Sequence, residues 1–158
     1  MANHCINNIV YKGSNYKSVY ALFKEMSQKE NDTGHGQLPD FVEDGRDYLK
    51  YMFSVDPTEN VDEVVVNCWS KWSPPINELI EISKRYPGDW QMYYEETAMY
   101  IYGRLTINAE GDAIVEDIPE DIFEKIDYND EKDVYVYDGK EYESMYDILS
   151  AEFEKLYD

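Results

Sequence analysis

The chain has 158 residues, of which 43% are hydrophobic and 15% aromatic; that suffices for one buried core and is too apolar for a disordered polymer. Thirty-four acidic against fourteen basic side chains give a formal net charge of −20. This balance argues against direct binding of DNA or RNA and against docking on an anionic membrane, since both need clustered lysine and arginine.

Cys5 to Tyr11 reads as a strand closed by Lys12-Gly13-Ser14, with Ser14 or Asn15 placed to cap the next helix. Val19, Leu22, Phe23 and Met26 recur at helical spacing, so residues 15–29 are expected to form a helix with one buried face. Asn31 to Asp47 has no sustained period and reads as a loop, with a short turn around Leu38-Pro39-Asp40-Phe41. Strands near 49–55 and 62–69 then form a hairpin through Asp56-Pro57-Thr58-Glu59-Asn60. Trp72-Ser73-Pro74-Pro75 is a turn that leads into a helix from Ile76 to Tyr86. Proline suits its first turn, Lys84 and Arg85 suit its carboxyl end, and Pro87-Gly88 stops it. Aromatic strands at 90–95 and 99–107 are joined by Glu96-Thr97-Ala98. All three tryptophans fall between Val64 and Gly103. The order strand, helix, strand, strand, helix, strand, plus one strand more, predicts an α+β ferredoxin-like (split βαβ) fold. Its sheet is antiparallel, with two helices on one face.

After Asn108 the composition shifts: residues 108–158 hold 18 acidic and 4 basic side chains, against 16 and 10 in residues 1–107. Ile118 to Phe123 reads as a short helix start, and Val134 to Tyr137 followed by Asp138-Gly139 reads as a hairpin. Met145, Ile148, Leu149, Glu152, Phe153 and Leu156 lay out a C-terminal helix. The expected organisation is a ferredoxin-like core over 1–107 with an acidic α/β extension over 108–158 packed on it, in a single domain.

Met1-Ala2-Asn3-His4-Cys5 with Asn7-Asn8 and Gly13, Trp72-Ser73-Pro74-Pro75, Ser83-Lys84-Arg85-Tyr86-Pro87, Tyr94-Glu95-Glu96 and Gly103 together resemble the Api92-like proteins, whose shared part is the YubB ferredoxin-like domain. The resemblance covers about residues 1–107. It implies a ferredoxin-like core in a small cytosolic protein of the kind carried by phages, plasmids and other mobile elements, and it brings no catalytic residues. The chain departs from the pattern at Thr97-Ala98, where Pro-Gly is expected after the glutamates, and in the acidic extension, which lies outside the shared domain.

No catalytic set can be assembled from the residue pattern, and no enzymatic activity, cofactor or metal is expected. Glu95 and Glu96 are adjacent, so a regular strand points them to opposite faces and prevents them from sharing a site as acid and base. His4, His35, Cys5 and Cys68 match no metal-ligand spacing, and the cysteines read as buried reduced thiols. Asp127 to Asp138 resembles a calcium loop, but Lys132 occupies the position where the sharp turn wants glycine, so a solvated acidic turn is the better reading. Trp69, Trp72, Trp90, Tyr94, Tyr100 and Tyr102 are expected in the core, with cation–π contacts from Lys71 to Trp72 and from Arg104 to Tyr102.

Two functional expectations remain. In the first, Glu116, Asp117, Glu120, Asp121, Glu124, Asp127, Asp130, Glu131 and Asp133 imitate the spaced charge of a nucleic-acid backbone. A non-enzymatic factor of this kind would occupy a basic host protein that binds nucleic acid, in the manner of an anti-CRISPR, without touching nucleic acid or membrane itself. In the second, Trp72, Tyr94, Glu95, Tyr102 and Arg104 form a sheet face for a small ligand or nucleotide. No apolar run reaches membrane-spanning length and Met1-Ala2-Asn3-His4 lacks a signal segment, so a cytoplasmic monomer or homodimer is expected.

Overall fold

The computed structural model describes residues 4–29, 38–42, 49–57 and 62–158. Among these residues, nine strands and four helices follow in the order β1 (His4–Lys12), α1 (Tyr16–Gln28), β2 (Leu49–Pro57), β3 (Glu63–Lys71), α2 (Ile76–Arg85), β4 (Asp89–Glu96), β5 (Ile101–Ile107), β6 (Ala113–Asp117), α3 (Glu120–Glu124), β7 (Asp127–Asn129), β8 (Val134–Tyr137), β9 (Lys140–Tyr142) and α4 (Met145–Tyr157). The main sheet runs β2-β3-β1-β4-β5-β6 with every neighbour antiparallel. Its first four strands, β2-β3-β1-β4, have the order of a split βαβ unit, so the ferredoxin-like expectation holds.

One face of the sheet carries Cys5, Ile9 and Tyr11 of β1, Val64, Val66 and Cys68 of β3, and Trp90 and Met92 of β4, all buried. They alternate along their strands with partly or fully exposed neighbours, as the two-residue period of a pleated strand requires. Val19, Phe23 and Met26 of α1 and Leu79 and Ile82 of α2 close this core. Trp90 packs at 4.7 Å from Tyr11 and 6.2 Å from Phe23, and its indole donates to the Tyr86 carbonyl at 3.0 Å. The Tyr11 hydroxyl donates to the Pro87 carbonyl and accepts from the Asn15 amide, both at 3.1 Å, which ties the β1–α1 turn to the α2–β4 turn. Glycine at position 88 makes this possible, because a Cβ there would sit 2.5 Å from the Tyr11 ring.

Asn15 occupies the N-cap position of α1 without capping it; its side chain donates instead to the Pro87 carbonyl at 3.1 Å. The turn expected after Leu38 is present, with the Val42 amide bonded to the Pro39 carbonyl at 3.0 Å. Most of the loop expected over 31–47 lies outside the described residues.

β6, which periodicity did not reveal, pairs with β5 and widens the sheet. From there the chain crosses to the face opposite α1 and α2. Tyr102 of β5, Ile118, Ile122 and Phe123 around α3, and Leu149 and Phe153 of α4 form a second core on that side. β7, β8 and β9 make a separate three-stranded sheet. The acidic segment thus contributes a strand to the main sheet and a cover for its second face.

Because the sheet holds a core on each face, Phe23→Ala and Phe153→Ala should each cost about 3–5 kcal/mol, the usual loss for truncating a buried aromatic. Urea unfolding followed by tryptophan fluorescence and by far-UV circular dichroism should give one coincident transition for both variants. A separate early transition confined to Phe153→Ala would mean that the second core melts on its own.

Candidate binding groove

The second face of the sheet is ordered in rows set by strand register. Trp69, Ile6, Glu95 and Tyr102 stand side by side across β3, β1, β4 and β5, and the next row holds Asn67, Asn8, Tyr93, Arg104 and Glu116. Asn8 donates to Asn67 at 2.6 Å. Helix α4 lies over the β5 side: Tyr102 makes edge contacts with Tyr146 at 6.1 Å and with Phe153 at 5.9 Å. Arg104 fixes the far end of the helix. Its Nε and Nη2 donate to Glu116 Oε1 at 3.1 and 2.8 Å, Nη2 also donates to Asp158 Oδ1 at 3.3 Å, and the guanidinium lies 5.0 Å over Phe153.

Between the uncovered half of this face and α4 lies a cleft of about 450 Å³, with Ile6, Asn8, Tyr93 and Glu95 on the sheet side and Tyr146, Ser150, Glu154 and Asp158 on the helix side. A second cleft of about 380 Å³ shares Ile6, Glu95 and Tyr146 with the first and runs on past His4, Glu96 and Thr97 to Glu143. The two meet at these shared residues and form one groove. Glu95 sits at the junction, and partial burial, reinforced by the neighbouring Glu96 carboxylate, raises its carboxyl above the ordinary range. Glu96 accepts from the Ala98 amide at 3.0 Å at the strand end. Both glutamates therefore line the second cleft, contrary to their expected separation onto opposite faces, because the strand ends at Glu96 and the chain turns there into a single 3-10 turn, Thr97–Met99.

The five residues expected to share a ligand face are distributed differently. Glu95 and Tyr102 line the groove and Arg104 stands beside it, engaged by two carboxylates. Tyr94 belongs to the helix-covered face; it also lines the first cleft, but its hydroxyl is committed to Asp117 Oδ1 at 2.5 Å. Burial, more than this bond, pushes the Tyr94 phenol up. The bond passes over Gly103, where a Cβ would lie 2.7 Å from that hydroxyl. Trp72 lies outside the groove, at a positive φ of 70° in the turn after β3.

Half of the expected core aromatics are exposed: Trp90, Tyr94 and Tyr102 are buried, while Trp69, Trp72 and Tyr100 keep 37%, 42% and 45% of their surface in solvent. Trp69 stacks on His4 at 5.4 Å and Tyr100 on Phe123 at 5.2 Å. Arg104 lies over Tyr93 and Phe153, not over Tyr102, because register places Tyr93 directly opposite it. No Lys71–Trp72 cation–π contact is present among the described residues.

Of the nine acidic residues singled out above, Glu116 is half-buried against Arg104 and Asp117 holds Tyr94. Asp121 pairs with Lys125 at 3.5 Å and Asp133 accepts from the Tyr128 hydroxyl. Glu120, Glu124, Asp127, Asp130 and Glu131 are exposed and make no ion pair among the described residues. Among those residues no group of three or more His, Cys, Asp or Glu side chains is placed to hold a metal ion. Cys5 and Cys68 are free and buried, and desolvation pushes both thiols up to about 12, which removes thiolate reactivity near neutral pH. No helix among the described residues is long and apolar enough to cross a membrane.

Asn8, Tyr93, Tyr146, Ser150, Glu154 and Asp158 are groove residues that reading the chain did not single out. Alternation along β1 and β4 places Asn8 and Tyr93 on a common face, but nothing local in residues 145–158 says which face of the sheet that helix covers.

An antiparallel sheet in ferredoxin-like order, with α1 and α2 on one side and α4 beside a groove on the other, defines an α+β protein of the ferredoxin-like class. A family model described as the ferredoxin-like domain in Api92-like protein matches residues 50–138, and the chain belongs to that family. The match takes in β6, α3 and the β7–β8 hairpin, and so reaches well into the acidic segment. No curated protein and no solved structure matches the chain.

Glu95 makes a test of the groove's electrostatics. A carboxyl with a raised folded-state pKa binds its proton more tightly folded than unfolded, so its charged form weakens the fold at neutral pH. Glu95→Gln should therefore raise Tm at pH 7, and the gain should disappear as pH falls through the folded pKa toward the ordinary carboxylate range. A lower Tm at pH 7, measured by calorimetry, would contradict the assignment.

Proposed function

We propose that this protein is a non-enzymatic acidic binding factor, carried by a phage or other mobile element, that occupies the basic groove of a host protein which binds nucleic acid. The reading rests on the five carboxylates of Glu120, Glu124, Asp127, Asp130 and Glu131, exposed without an ion pair among the described residues on α3 and the β7–β8 hairpin. Such unneutralised charge steers association with a cationic surface and competes there with a phosphate backbone. Glu116 and Asp117 have internal partners and are removed from the binding surface. A defence effector of the CRISPR kind is the partner class this reading favours. A nucleotide on the sheet face is disfavoured, since Arg104 is already engaged by Glu116 and Asp158 and the adjoining groove is lined with carboxylates.

The experiment is affinity capture from host lysate with a salt gradient, followed by competition with duplex DNA and with RNA. The captured partner should elute at moderate salt and be displaced by nucleic acid. Glu120→Lys/Glu124→Lys/Asp130→Lys/Glu131→Lys should weaken it by roughly tenfold or more, the scale of close interfacial charge pairs. Undiminished binding by that variant, or elution independent of salt, would refute the reading.

A further inference from the structure

We propose that the groove between the second face of the sheet and α4 binds an organic cation, that is, ammonium or guanidinium groups carried on an alkyl stem. The proposal does not depend on the outer acidic surface.

Three observations carry it. First, Glu95, Glu96, Glu143, Glu154 and Asp158 line the two joined clefts, and no lysine or arginine does. Only Asp158 among these carboxylates has a cationic partner among the described residues, and that partner is Arg104. Second, the groove has aromatic walls: Tyr146 from α4 keeps 54% of its surface exposed, which leaves its ring open to a cation, and Tyr93 from the sheet already holds the Arg104 guanidinium 5.8 Å over its ring, so this wall accepts the same chemistry. A ring quadrupole attracts a partly desolvated ammonium or guanidinium, and a carboxylate beside it adds charge-assisted hydrogen bonds. Third, Glu95 is half-buried between Ile6 and Tyr102 in register and next to Glu96, a position that disfavours its charge unless a cation enters. The alkyl stem would lie along Ile6, at the junction of the clefts. Carboxylates line both clefts, Glu154 and Asp158 the first and Glu96 and Glu143 the second, which suits an elongated ligand with more than one cationic group.

The same chemistry has two sources, a free polyamine or the basic side chains of a protein partner. Isothermal titration calorimetry with spermidine, and separately with a capped peptide of alternating arginine and glycine, distinguishes them. Sodium chloride at matched ionic strength and the variant Asp89→Asn/Glu110→Gln, at two exposed carboxylates outside both the groove and the outer acidic surface, control for general attraction to a protein of charge −20. Spermidine, the peptide or both should bind the wild-type chain, with the tighter one naming the source. Glu95→Gln should lose roughly tenfold in affinity, Tyr146→Leu about threefold, and Asp89→Asn/Glu110→Gln nothing. Binding by neither probe above the salt control would overturn the proposal. So would an equal loss in the control variant, or full affinity in Glu95→Gln. Because partner capture is read out on a different surface, loss of the captured partner with retained spermidine binding would fail the proposed function alone.

Discussion

A pleated strand sends alternate side chains to opposite faces, so a six-stranded sheet has two faces to cover. Helices α1 and α2 cover one. Among the described residues the other is covered by the C-terminal segment, over β5 and its neighbours, and the groove lies beside that cover. Arg104 sets where that cover stops. Its guanidinium joins β6 through Glu116, the end of α4 through Asp158, and the aromatic layer through Phe153. With only 13% of the Arg104 side chain and 19% of Glu116 exposed, the pair is shielded from the screening that makes open surface ion pairs weak.

A second device holds the same edge from the other side. Tyr94 rises from the helix-covered face and meets Asp117 on β6 across the backbone of Gly103, while the Tyr157 hydroxyl donates to the Asp117 carbonyl at 2.5 Å. Any side chain at position 103 would push these groups apart. The acidic segment is thereby joined to the ferredoxin-like core by hydrogen bonds and by strand pairing as well as by apolar contact. Two of its carboxylates have become structural, which is why charge density read along the chain overstates the surface free to bind a partner.

What could be read from the residues was whatever has a short period. Val19, Phe23 and Met26 recur at 3.6 and Cys5, Ile9 and Tyr11 at 2, and α1, β1, both hairpins of the core and α4 followed from such patterns within a residue or two. β6 escaped because its five residues are an edge strand with no buried member. Its one signal was the turn before it, where Asn108 accepts from the Glu110 and Asp112 amides and Gly111 takes a φ of 91°. The groove was half legible. Residue type marks Glu95 and Tyr102 as possible ligand contacts, whereas strand alternation sends Tyr94 to the opposite face from Glu95. Tyr146 and Glu154 enter the groove through the docking of α4, a long-range arrangement that no window of sequence encodes.

Glu95 brings these strands of argument together. A glutamine at this position would fill the same space without the cost of holding charge in a half-buried row between Ile6 and Tyr102 and beside a second glutamate. Carboxylates placed against their own stability are characteristic of binding sites, where an incoming ligand supplies the missing counter-charge. If the groove were only a gap left by an incomplete cover, nothing would favour acids over neutral side chains along its walls. Yet Glu95 and Glu96 line it from the sheet and Glu143, Glu154 and Asp158 from the C-terminal segment, and the adjoining Arg104 is shared among Glu116, Asp158 and the Tyr93 ring. The charge that makes this chain unusual is thus distributed over two places: exposed carboxylates on α3 and the β7–β8 hairpin, and a second set along the groove beside Tyr146.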